Sequence, residues 1–425
     1  MKSVGVITEY NPLHNGHIYH INKTKELTGA DVLISVMSGN FVQRGEPSVI
    51  NKYARAKSAL QCGANLVIEL PSYYTLSSAE FFAYGGIGTL NCLNVENVVF
   101  GSECNDIKML SFIADIIDNE PERFSYYLKK HLALGLSYPM ARSAAFKDYL
   151  TSETGSSGSS YDADILIQSL NCPNNILGIE YLRAINKLKC NIQTYTIKRN
   201  GDDYNSSNIE SATASATAIR KILSAKDNDK EQYIFNDTIK NYIPDKMFEE
   251  LKEANNITSP VTIDDFSMYF NYKLREIIDI CKDKNESAKY LCRYPDVNEA
   301  LANRIIAVFD DTASISDFLS KLKSKLYTYT RLSRIVMNII LEFTAAGKYN
   351  YAAIPYIRIL GFDKTGQQYL NSIKKTCPVP IVTKVADYKE LLSDDIHASN
   401  IYNQVIFNKF GTKFPDEFRQ NIIRL

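Results

Sequence analysis

The chain has 425 residues, 45% hydrophobic and 23% charged, with 48 basic against 48 acidic side chains. That is long enough for two or three domains and a sizeable core; no run of eighteen apolar residues offers a membrane span, and the N-terminus runs into Glu9, Asn11 and histidines rather than a leader, so a cytoplasmic protein is expected. Eight cysteines without a C-x-x-C pair argue for free thiols over a zinc knuckle or disulfide framework, and a balanced charge leaves nucleic acid open, because a local basic patch is enough.

Val4–Thr8 reads as a buried strand and residues 15–28 as a helix, with Ile18, Ile21 and Leu27 available for its inner side. Between them lies the turn Glu9-Tyr-Asn-Pro-Leu-His14-Asn-Gly-His17, followed by His20. Asp31–Met37 is a second strand, ended by Ser38-Gly-Asn40. Residues 52–62 look helical, and Asn65–Leu70 is a third strand stopped by Pro71. Residues 78–91 look helical, and Val95–Phe100 is a fourth strand closed by Gly101. Helices follow at 107–119 and 121–133. Residues 151–163, rich in Gly, Ser and Thr, read as a loop. A helix resumes after Pro173, and Ile192–Ile197 is a fifth strand, followed at once by Lys198 and Arg199. Residues 211–223 place Ser/Thr before a helix carrying Arg220 and Lys221.

Apolar strands alternating with helices predict an α/β fold, a Rossmann-like parallel sheet covered on both faces. This unit is expected to span residues 1–225. Ligands of such sheets bind beyond the C-terminal strand ends. Thr8 to His17, Ser38 to Gln43, Glu69 to Pro71 and Gly101 to Glu103 all fall there.

Residues 226–425 read as a mostly helical region. Within residues 318–348, Lys321, Lys323, Lys325, Arg331, Arg334 and Lys348 stand against Glu342 alone, with Tyr327 and Tyr329 among them. A basic, aromatic-flanked helix start can track RNA phosphates and stack on bases; a solvated face on a core helix is the plainer alternative. Ile357–Gly361, a polar helix and Val379–Val385 suggest a small α/β element near the C-terminus. The last helix is expected over 399–407.

His14 and His17 are three apart at a helix start and share one face. Free N–H groups there attract anions, and Gly16 lets a phosphate approach the backbone. Imidazoles so placed can donate to α- and β-phosphate oxygens and stabilise charge as an α-phosphorus is attacked. An ATP-using enzyme is the leading reading. No acidic or cysteine ligand is spaced with these histidines for a metal.

His14-Asn-Gly-His17 resembles the HxGH signature of the nucleotidylyltransferase superfamily. Ser215-Ala-Thr-Ala-Ile-Arg220 looks like its second motif, although Ala216 and Ala218 stand where hydroxyls are common. The longer strings around Gly5–His17, Ser38–Pro47, Phe100–Glu103 and Asn174–Tyr181 resemble the bacterial tRNA(Met) cytidine acetate ligase family. That resemblance implies ATP-dependent activation of acetate to acetyl-adenylate. It also implies acetyl transfer to N4 of the wobble cytidine of elongator tRNA(Met), with magnesium escorting the triphosphate and no obligatory protein partner.

By the same resemblance, His14, His17 and Arg199 are the expected catalytic residues. Ile7, Thr8, Glu9, Tyr10, Asn11, Gly16, His20, Gly101, Asn175, Thr217 and Arg220 would join them around ATP. Arg199 would meet the α-phosphate or the acyl-adenylate carboxyl oxygen, and Thr217 and Arg220 the β- and γ-phosphates. His20 either reaches a phosphate or packs, and Asn175 either meets adenosine or caps a helix. Ser38, Asn40, Gln43 and Arg44 would contact acetate or the incoming cytidine, and Lys323, Arg331 and Arg334 the tRNA; Arg44 and Lys52 read equally as solvent-facing charges. Two alternatives are another HxGH adenylyltransferase acting on a small metabolite, and a non-catalytic RNA-binding protein.

Overall fold

The computed structural model describes residues 1–136, 138–153, 163–199, 215–226, 232–345 and 353–425. The chain opens with β1 (Ser3–Thr8), α1 (Asn15–Thr28) and β2 (Val32–Ser38). The short strands β3 (Phe41–Val42) and β4 (Glu46–Pro47) follow, then α2 (Lys52–Gln61), β5 (Leu66–Leu70), α3 (Ala79–Cys92) and β6 (Asn97–Ser102). Beyond them come α4 (Pro173–Leu188), β7 (Gln193–Lys198), α5 (Ala216–Leu223) and α6 (Tyr329–Ile340). The chain ends with β8 (Ile357–Phe362), β9 (Ile381–Val382), α7 (Ser393–Phe410) and β10 (Ile423–Arg424).

The main sheet runs β10-β8-β5-β2-β1-β6-β7, with β9 also paired to β8. Strands β5, β2, β1, β6 and β7 are mutually parallel. All of β2 and β5 is buried, as a sheet with both faces covered requires. The chain winds outward from β1 through β2 to β5, then returns to lay β6 on β1's other side. The β1/β6 crevice is therefore the topological switch point, where such sheets bind ligands.

Two expectations need correction. The α/β element expected near the C-terminus is present, but it joins the main sheet instead of standing apart from the unit at 1–225. Strand β8 pairs antiparallel with β5, Ile68 opposite Ile359, and β10 pairs with β8. Without β8, the outer edge of β5 would leave a row of unpaired backbone groups. A division at residue 225 thus cuts across the sheet. On α1, the inward residues are Ile21, Thr24 and Thr28, while Leu27 is exposed. Spacing of three and four sets that face, and Leu27 lies off it.

Between the two visits to the sheet stands a helical bundle with its own core. Phe266, Phe270, Leu274 and Leu301 pack there with Leu332 and Ile335 of α6. Helix α7 begins at Ser393, earlier than expected, and adds Tyr402, Val405 and Ile406 to that core. The loop expected at 151–163 lies mostly outside the described residues, as do residues 211–214 and Lys348.

Candidate active site

His14 is the N-cap of α1, in extended conformation and buried. Its ring stacks on His17 with centroids 3.7 Å apart. Tyr10 packs its edge against His17 from the other side, 5.0 Å away. The His14 backbone N–H donates to His17 Nδ1 at 3.2 Å. With Nδ1 accepting, the ring proton belongs on Nε2, which becomes the outward donor. The start of α1 and the turn at Glu9–Leu13 thus deliver two imidazoles to the switch point.

Burial keeps these rings neutral. It lowers His14 to about 3, helped by the charges of Arg199 and Arg220. Burial also holds His17 well below its ordinary value, with His14 and Arg199 adding to it. His20 falls to about 4, again by burial and then Arg199; its Nε2 is buried with no partner among the described residues.

A pH dependence follows. Unfolded histidine takes a proton near pH 6.5, and these folded ones refuse it. The unfolded chain then binds more protons, so stability is full above about pH 6.5 and falls as pH drops below it. The slope is up to about 1.4 kcal/mol per pH unit per histidine. Melting temperatures at pH 7.5, 6 and 5 should fall, and less steeply for a His14→Asn/His20→Asn variant. Parallel profiles for the two proteins would contradict the account.

The turn before the histidines is tied to the next strand end. Glu9 Oε1 accepts the Gln43 N–H at 2.7 Å. Burial raises the Glu9 carboxyl, and the Gln43 amide, Arg44 and Arg220 pull it back. Asn11 Oδ1 accepts the Val49 N–H at 2.8 Å, leaving its Nδ2 buried and unpartnered among the described residues. Thr8 Oγ1 meets Ser35 Oγ at 2.8 Å, and the Ile7 side chain faces α3 at Gly86. Gly16 has room only for hydrogen, since a Cβ there would lie 2.9 Å from the His14 ring.

The polar loop differs from its expectation. Ser38 and Asn40 are buried rather than exposed at the surface of the loop. Asn40 Oδ1 accepts the Lys52 N–H at 2.9 Å, which holds the loop to the start of α2. Gln43 stays half-exposed at the mouth, reaching Ser77 O through Nε2 at 3.3 Å. Arg44 is half-buried and its charge acts on Glu9.

On the far side of the crevice, Arg199 leaves β7 and donates to Asn174 Oδ1 at 2.6 Å. Gly101 in β6 faces it, because a Cβ there would lie 3.0 Å from Arg199 Cγ. Asn175 is buried, and its Oδ1 accepts the N–H groups of Glu103 and Cys104 at 2.9 and 3.2 Å. Glu103 reciprocates by accepting both amides at the start of α4. The Asn175 oxygen is thus committed to structure, and only its Nδ2 is unpartnered. Arg220 of α5 reaches across to Asn11 O at 2.9 Å, Glu46 Oε2 at 3.4 Å and Thr217 Oγ1 at 3.4 Å.

The basic stretch splits. Lys323 is exposed at the end of the helix Ile315–Leu322. Arg331, in α6, donates to Asp296 O at 2.7 Å and lies over the Tyr327 ring. Arg334, three residues on, is less exposed than the half-buried Arg331. It is buried, pairs with Asp296 at 3.7 Å and donates to Gln43 O at 3.5 Å. Its position one turn further along α6 turns it toward the loop at Gly45, whose backbone packs on Arg334.

Sequence reading missed the charges beneath the site. Arg55 is 0% exposed and donates to four carbonyls, those of Glu9, Ser38, Gly39 and Ile50. Lys52, read as a possible surface charge, is also 0% exposed. It pairs with Glu69 at 2.7 Å and Glu417 at 2.9 Å, and Arg358 pairs with Glu417 at 2.7 Å. The available signal was spacing: Lys52, Arg55, Ala56 and Ala59 share one helix face, and the alanines mark it as inward.

Comparison with known proteins agrees with this geometry. The family model for HIGH Nucleotidyl Transferase matches residues 1–415. A tRNA(Met) cytidine acetate ligase of Clostridium novyi is 41% identical over 434 residues, covering 100% of both chains. Its counterpart in Clostridium acetobutylicum is 40% identical, again with 100% of both covered. The chain belongs to the tRNA(Met) cytidine acetate ligase family. Thermotoga maritima TmcAL bound with alpha-thio ATP superposes with a TM-score of 0.87 at 32% identity, covering 100% of both chains. The apo form of that family member gives 0.89. Family membership accounts for the extra half of the chain, which a compact adenylyltransferase does not need.

Among the described residues, no group of three His, Cys, Asp or Glu is placed to hold a metal ion. The residues present do not form a cage for magnesium, whose ligands at nucleotide sites are largely phosphate oxygens and water. No helix of the described residues is long and apolar enough to cross a membrane.

Proposed function

We propose that this chain is an ATP-dependent tRNA(Met) cytidine acetate ligase. The carrying observation is the stacked His14/His17 pair at the switch point, faced by Arg199 and Arg220, in a chain that matches ligases of that name from end to end. In the first step an acetate oxygen attacks the α-phosphorus of ATP and the bond to pyrophosphate breaks. In the second, the N4 amine of the wobble cytidine attacks the acetyl carbonyl of the mixed anhydride. AMP leaves and the amine gives up a proton.

His17 Nε2–H and the His14 ring donate to phosphate oxygens as charge grows on them. Being neutral, they donate a hydrogen bond without losing a proton. Arg199 binds the α-phosphate side, and Arg220 with Thr217 the β- and γ-phosphates. Ile7 to Asn11, Gly16, His20, Gly101 and Asn175 form the remaining wall of the ATP site. Gln43 and Arg44 stand where acetate and cytidine must enter. The anticodon loop is single-stranded, so its cytidine can be splayed into the crevice without melting a helix. Lys323 and Arg331 lie on the side we assign to the tRNA backbone.

Labelled acetate, ATP and elongator tRNA(Met) should yield label at the wobble cytidine after nuclease digestion, as N4-acetylcytidine. Pyrophosphate release driven only by a different acid, with no labelled tRNA, would move the chain to another adenylyltransferase chemistry.

A further inference from the structure

Arg220 does not wait for its substrate unpaired. Its Nη2 lies 3.4 Å from Glu46 Oε2, with both side chains about a quarter exposed or less (18% and 27%). The same guanidinium is close enough to His14 and Glu9 for its charge to act on both, so it already faces the site. Glu46 cannot swing away freely. It belongs to β4, opposite Val42 in β3, and follows Gly45, which has φ +78° and packs on the backbone of α6. A Cβ at Gly45 would lie 2.2 Å from the Arg334 nitrogen, so that strand is held against the bundle.

We infer that the Glu46 carboxylate is a placeholder for the triphosphate and that it sets the affinity for ATP. It occupies Arg220 in the free protein. An arriving phosphate, with more charge and a shorter bond to guanidinium, displaces it. Glu46 then stays nearby as a like charge and weakens the grip on ATP. The same repulsion speeds release of pyrophosphate. The inference rests on the reading of Arg220 as a ligand of the β- and γ-phosphates.

Binding of α,β-methylene-ATP and of AMP, measured by calorimetry without acetate or tRNA, tests it. E46Q and E46A should each tighten the triphosphate analogue roughly three- to tenfold and leave AMP unchanged. In turnover, E46Q should lower KM for ATP and strengthen inhibition by pyrophosphate. Weaker or unchanged binding of the analogue by both folded variants would overturn the inference, since a merely structural Glu46 predicts that result. R220Q separates the two layers. It should weaken the analogue and spare AMP. If R220Q leaves the analogue unaffected, the triphosphate role of Arg220 fails; if R220Q weakens it while E46Q does not tighten it, only the placeholder fails.

Discussion

Replacing His17 with alanine is expected to lower acetate-dependent ATP–pyrophosphate exchange by roughly 10²–10³-fold. His17 Nδ1 is occupied by the His14 amide, so its single N–H lies on Nε2, the atom we assign to a phosphate contact. Alanine removes that donor where charge accumulates in the transition state. The loss should therefore fall on kcat more than on KM for ATP. Stability should change by only about 1 kcal/mol, the usual cost of losing a helix-start hydrogen bond. His17→Asn, which retains an N–H donor, should recover part of the rate. Exchange within threefold of the parent, in a folded variant, would remove His17 from the chemistry.

Arg55→Met should be the most destabilising single change at the site, by about 3–5 kcal/mol. One buried guanidinium holds four carbonyls, three from the two strand-end turns and one, that of Ile50, just before α2. Methionine fills the volume but leaves those oxygens unpaired and away from water, and each such group costs about 1–3 kcal/mol. The two turns that carry Glu9 and Gly39 then lose their common anchor, and ATP binding should weaken with stability. Lysine should not rescue, because one ammonium cannot span four acceptors as a planar fork does. Denaturant midpoints and ATP affinity check this together. A loss under about 1 kcal/mol with normal affinity would show that the carbonyls find other partners.

The parts of the molecule governed by local chemistry were legible. Strand β1, helix α1 and the turn between them follow from apolar runs and histidines placed at a helix start. The parallel order followed from strand–helix alternation. What the sequence hid was long-range pairing. Nothing near Ile357–Phe362 says that it will join β5, because the edge it covers is made nearly 300 residues earlier, with 298 residues separating Asn65 from Asp363. Ser38 and Asn40 read as polar and therefore outward. Both are buried: the Asn40 amide oxygen accepts the Lys52 backbone N–H and Arg55 holds the Ser38 carbonyl, while the Ser38 hydroxyl has no partner among the described residues. Arg334 was grouped with Arg331 by charge, yet Asp296 and the Gln43 carbonyl draw it into the interior.

The link between Tyr53 and Glu417 spans 364 residues. At about 5–20 residues per second, synthesis of that span takes roughly 20–70 s. Lys52 has Glu69 early but lacks Glu417 through that interval, and the edge of β5 stays open until β8 is made. An unpaired strand edge on a ribosome-bound chain is a template for aggregation. The sheet that houses the histidines is therefore begun first and sealed last.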